Sequence, residues 1–103
     1  MTISNEPGYY EDGAFGIRIE NVCITVPTPT PHRFNNKESL AFETVTMVPI
    51  SVNLINVDLL TEEDLNWLND YHARVRSAVE NDVKELFPEA HEYLLERTRP
   101  ISK

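Results

Sequence analysis

The dipeptide Asp12-Gly13 constrains the fold more than any other feature of the chain, because of the stretch that holds it: Asn5-Glu6-Pro7-Gly8-Tyr9-Tyr10-Glu11-Asp12-Gly13-Ala14-Phe15-Gly16-Ile17-Arg18-Ile19-Glu20-Asn21. Asp-Gly between runs of aromatic and β-branched residues is a strong signal for chain reversal. With Asp12-Gly13-Ala14 as the reversal, residues whose numbers sum to 26 stand opposite each other, and Glu6 faces Glu20. Directly opposed strand residues have Cβ atoms about 4.5–5.5 Å apart, and like charges there are destabilising. At about 5 Å and an effective dielectric of about 20, the repulsion approaches roughly 3 kcal/mol. A shared proton, a cation or a neighbouring base would relieve it. Arg18, two residues before Glu20, falls on the same face. On spacing alone the commoner arrangement is a different hairpin register with both acids in solvent, since charged strand residues are mostly exposed. A glutamate pair also falls short of the roughly four to six ligands that divalent ions take.

The rest of the chain is predicted from the same kind of signal. Residues 1–26 read as two strands around the turn. Val26-Pro27-Thr28-Pro29-Thr30-Pro31 has prolines at alternate positions and is predicted as an extended loop, continued by Asn35 and Asn36. Ser39 to Val48 reads as a third strand stopped by Pro49, and Ile50 to Leu60 has room for a further short one. Thr61 with Asp64 predicts a capping box. Leu65, Leu68, Tyr71, Val75, Val79, Val83 and Leu86 then form a helical stripe, and Glu89 to Thr98 a second, shorter helix. Strands followed by helices predict an α+β fold, divided into a strand part, 1–60, and a helical extension, 61–103.

Composition narrows the function. Seventeen acids against nine bases give a net charge of −8, which excludes nucleic-acid binding through a basic patch. Cys23 is the only cysteine, and no Cys/His zinc spacing exists. On an apolar strand with no nearby base, it reads as a small core residue. No apolar run approaches the ~18 residues of a membrane span. The lone cysteine and the lack of an Asn-x-Ser/Thr acceptor favour an interior, reducing compartment, and the first residues lack the charged and apolar regions of a signal peptide. Glu62, Glu63 and Asp64 suit the helix dipole. His72 reads as packed or surface, and Trp67, off the stripe, as a cover for another domain or subunit.

The segment Asn5–Asn21, together with Leu40–Ile50, Leu65–His72 and Thr98–Ile101, resembles the C-terminal end of the cytosolic-type Xaa-Pro aminopeptidases (aminopeptidase P). The resemblance covers essentially the whole chain. It implies the pita-bread fold shared with methionine aminopeptidase and prolidase, here its C-terminal portion of antiparallel strands followed by helices. It also implies two divalent ions, commonly Mn2+, held by two aspartates, one histidine and two glutamates. By motif position Glu6 resembles the first glutamate, which can also take a proton from the attacking water. Glu20 resembles the second, which bridges both metals, and Arg18 the arginine beside it. Tyr10 resembles a tyrosine near the first glutamate, with a substrate-pocket role or simple aromatic packing as its two readings.

The same resemblance implies a cytoplasmic homodimer acting on peptides with proline in second position. The family's aspartates, ligand histidine and substrate-positioning histidines have no counterpart here. His32, His72 and His91 do not match them. The chain is therefore expected to be a fragment whose partner is the upstream part of the same enzyme, and to be inactive alone. The alternative is a non-catalytic interaction or dimerisation module derived from that family.

Overall fold

Gly13 makes the reversal: it takes φ 72°, a left-handed conformation that costs glycine little, and the Ala14 N–H donates to Glu11 O at 3.0 Å. In the computed structural model, which describes residues 1–103, four short strands flank this turn. They are β1 (Thr2–Asn5), β2 (Gly8–Glu11), β3 (Phe15–Arg18) and β4 (Asn21–Thr28). β2 pairs with β3 and β1 with β4, both antiparallel. Every pair in both ladders, from Thr2↔Ile24 to Asn5↔Asn21 and from Gly8↔Arg18 to Glu11↔Phe15, sums to 26. The register is the one the turn predicts. The two expected long strands are each interrupted at 6–7 and 19–20, and Pro7 is the reason. Ile19 N–H donates to Pro7 O at 3.2 Å, but proline has no N–H to return the bond.

A fifth strand, β5 (Ser39–Thr44), pairs with β4 from Cys23↔Thr44 to Thr28↔Ser39, giving a three-stranded sheet of order β1-β4-β5. β4 corrects the loop expected from Val26, since it continues through Pro27 to Thr28. Thr25 N–H donates to Met1 O at 2.9 Å, so Pro27, two residues on, turns its donorless nitrogen to the same side, past the end of β1. No ladder bond is lost there. Cys23 is buried as expected, with its Sγ 3.9 Å from Thr44 Oγ1.

The chain forms two compact units, Met1–Thr46 and Met47–Lys103. In the second unit the strand expected to reach Val48 gives way to irregular backbone, and 3-10 turns at Val52–Leu54 and Val57–Leu59 replace the further strand. Side chains of the first helix, α1 (Glu62–Leu86), hold this backbone. Tyr71 Oη donates to Val48 O at 2.7 Å, and His72 Nε2 accepts from Ile50 N at 3.1 Å. α1 opens with the predicted capping box: Asp64 N donates to Thr61 Oγ1 at 3.1 Å and Thr61 N to Asp64 Oδ2 at 3.0 Å. Pro88 starts α2 (Pro88–Arg97), since Phe87 before it is extended away from helical dihedrals.

Tyr71, Val75 and Leu94 form the core between the helices, joined by Met47, Ile50, Val79 and Val83. The predicted stripe fails only at its end, where Leu86 is exposed. Arg76 Nε donates to Thr98 Oγ1 at 2.9 Å and its guanidinium to Leu95 O at 3.0 Å, fixing the end of α2. Asn69 exchanges two 2.9 Å bonds with the backbone of Ile101, tying down the tail.

Candidate functional site

The two ladders bracket one unpaired rung. Met1:Thr25 and Pro7:Ile19 carry backbone hydrogen bonds, so odd-numbered pairs are the bonded rungs. Even-numbered pairs lie between them, where opposed side chains stand closest, with Cα atoms about 4.5 Å apart. Glu6 and Glu20 share such a rung. On the same face, two rungs further toward the turn, Gly8 opposes Arg18, and two beyond that Tyr10 opposes Gly16.

The electrostatics follow from this placement. The Glu6 carboxyl is held below its ordinary 4.5, first by a hydrogen bond with the Ser4 side chain and then by one with the Glu20 carboxyl; desolvation opposes them, and the Arg18 charge is the least of the lowering effects. An Arg18 guanidinium nitrogen lies 3.9 Å from Glu20 Oε2. Glu6, Glu20, Arg18 and Tyr10 are all exposed, so the pair stands on an open face and not within a core.

Tyr10 lies down on this face. A Cβ placed on Gly16 would come within 2.6 Å of Tyr10 Cδ1, and one on Gly8 within 2.6 Å of Tyr10 Oη. The opposite face is apolar, with Tyr9 6.0 Å from Phe15 between ring centroids and Tyr9 Oη donating to Glu11 Oε1 at 3.2 Å.

Two facing carboxylates with a basic and a hydroxyl neighbour can hold a divalent ion, or bridge two, as part of a larger ligand set. No group of three or more His, Cys, Asp or Glu side chains comes together in the chain. His32 lies in the proline loop, and His91 Nε2 is 3.1 Å from Glu80 Oε1 between α1 and α2. His72 is fully buried, and burial lowers its pKa from the ordinary 6.5. The residues present therefore fit the carboxylate share of a metal site.

Sequence reasoning missed the seat formed by Gly8 and Gly16. The signal was there: Gly8 is two residues before Tyr10, and Gly16 is the partner that the sum of 26 assigns to it. Trp67, half exposed, stacks on Tyr71 at 5.4 Å with 3° between ring planes.

Residues 38–101 match the family described as the C-terminal region of peptidase_M24. Probable Xaa-Pro aminopeptidase P of Penicillium rubens is 48% identical over 101 residues, which are 98% of this chain and 16% of that protein. Aminopeptidase P1 of Lotus japonicus is 44% identical over 98% of this chain and 15% of its own length. The chain thus spans about a sixth of the curated relatives it matches. Among solved structures, X-prolyl aminopeptidase from Caenorhabditis elegans, described as a cytosolic enzyme with a di-nuclear active site, superposes with a TM-score of 0.84 at 35% identity. That match covers 97% of this chain and 16% of the other. The α+β arrangement is accordingly that of the C-terminal strands and helices of a pita-bread enzyme.

Proposed function

The chain belongs to the family formed by the C-terminal region of the M24 peptidases, and on that premise we propose that it supplies two glutamate ligands to a dinuclear Xaa-Pro aminopeptidase, an enzyme that removes the N-terminal residue preceding proline. The observation that carries this reading is the rung shared by Glu6 and Glu20, bracketed on both sides by ladders of one register. The names of the relatives and the di-nuclear active site of the nematode enzyme support it.

Glu6 and Glu20 would hold the ions as carboxylate ligands, Glu20 in the place that the resemblance gives to the shared one. A pair of divalent ions, Mn2+ in this reading, supplies a water of lowered pKa and polarises the scissile carbonyl when bound. Glu6 is held ionised first by the hydrogen bond with the Ser4 side chain, with the Arg18 charge also favouring the carboxylate, so it is available as a ligand and as a transient acceptor of the water proton. Arg18 orients Glu20 from 3.9 Å. Tyr10 borders the peptide pocket. Residues 1–60 belong to the catalytic part and 61–103 to a helical extension, within a cytoplasmic homodimer. The chain alone, with two carboxylates and no further ligands, hydrolyses no Xaa-Pro peptide.

The test joins this chain to the first five-sixths of the Penicillium rubens relative, in place of that protein's own matching segment. The hybrid should bind two Mn2+ and cleave Xaa-Pro peptides. Glu20→Gln should lose the second ion and reduce turnover to background, with Glu6→Gln similarly severe. A hybrid that keeps two ions and full activity with Glu20→Gln would show that Glu20 is only a paired strand acid.

A further inference from the structure

The face that bears Glu6 and Glu20 also bears an aromatic ring laid along its own strand. Resting on the metal-ligand reading above, we propose that Gly8 and Gly16 are positioning residues, whose missing side chains let the Tyr10 hydroxyl be held toward the carboxylate rung. The two ends of the ring sit over different glycines. Tyr10 Cδ1 is over Gly16, its cross-strand partner, and Oη and Cζ are over Gly8, 2.6 and 2.9 Å from where a Cβ would be. The ring therefore runs back from the Tyr10 rung to the Gly8 rung, on the side of Glu6 and Glu20.

Residues two apart on a strand are separated by about 6–7 Å, so the hydroxyl, at Gly8, lies roughly one such step from the strand positions that bear the carboxylates. That step accommodates a water or a substrate atom. A phenol hydroxyl can donate or accept a hydrogen bond there.

Packing from above does not hold the ring, since Tyr10 is 61% exposed. Its direction is set from below. Real Cβ atoms essentially never come within 3.0 Å of other heavy atoms, so an alanine at either glycine drives the ring off the seat. The competing account is that the ring merely covers strand glycines and adds stability. The two accounts differ in what a displaced ring does to turnover.

Two measurements decide. In the 103-residue chain, NMR should show the Gly8 α-protons shifted upfield by the Tyr10 ring current. Gly16→Ala should abolish that shift while the β1–β4 pairing contacts persist, because alanine loses less entropy than glycine on ordering and the strand survives. In the hybrid enzyme, Gly16→Ala should lower kcat by about tenfold to a hundredfold, as expected for a misplaced group, with KM and metal content unchanged. Tyr10→Phe should do the same, and the double variant no worse than either single one. Persistence of the Gly8 shift in Gly16→Ala overturns the proposal. So does an unchanged kcat once the ring has moved. The metal count of the unsubstituted hybrid is read first, so a failure of the metal-ligand reading, which would take this inference with it, is separated from a failure of the glycine seat alone.

Discussion

His72 shows how much one side chain of the second unit depends on its protonation state. Its Nε2 accepts from Ile50 N–H, so the proton of the neutral ring sits on Nδ1, a buried atom with no hydrogen-bond partner. A second proton would take away the acceptor that Ile50 needs. Burial lowers the pKa below 6.5 in the fold, the bond from Ile50 opposing only in part. The unfolded chain then binds more protons than the folded one below about pH 6.5. Stability is fully present above that pH and falls as the pH drops toward the folded-state value. Urea denaturation across this range should show the decline, and His72→Leu should flatten that part of the profile. The same substitution should cost about 1–3 kcal/mol at neutral pH, because Ile50 N–H is left without its acceptor. Glu6 has the same sign at lower pH. Its depressed carboxyl contributes stability above its ordinary 4.5 that is lost as the pH falls through the folded-state value.

Among the elements, α1 carries the clearest local signature. Thr61→Ala removes the hydroxyl that accepts from Asp64 N and should cost about 1 kcal/mol in chemical denaturation. This cap was legible because it depends on two residues three apart. The hairpin register was legible for the same reason, since Asp12-Gly13 sets it locally. The end of β5 was not. Thr46 to Val48 reads as the end of that strand, but Val48 O and, past Pro49, Ile50 N are claimed by Tyr71 and His72, more than twenty residues away in sequence. Pro27 was misread for a related reason: whether a proline breaks a strand depends on which neighbour its nitrogen would have faced. The carboxylate rung lay between these cases. Its pairing could be counted from the turn and the exposure of its acids expected from their charge, but the sequence reading set the two against each other, and the structure has both.

At the scale of the whole molecule, the buried apolar side chains are few: Cys23, Leu68, Tyr71, Val75 and Leu94. Phe15, Leu40, Phe42, Trp67 and Leu59 are exposed, and β1 and β5 leave open sheet edges. Unpaired edges and apolar faces favour association. Sedimentation of the chain should therefore show concentration-dependent self-association, and a monomer at every concentration would contradict it. The two ladders also make the molecule tolerant of one kind of error and intolerant of another. The facing of Glu6 and Glu20 is specified twice, once by β1 with β4 and once by β2 with β3. Extra residues at the Asp12–Ala14 tip leave the β1–β4 copy of that instruction intact. A single residue inserted between Asn5 and Gly8 makes the two copies disagree, and no other part of the chain can arbitrate. Lengthening in descendants of this sequence should therefore collect at the tip and spare the short gap that holds the acids.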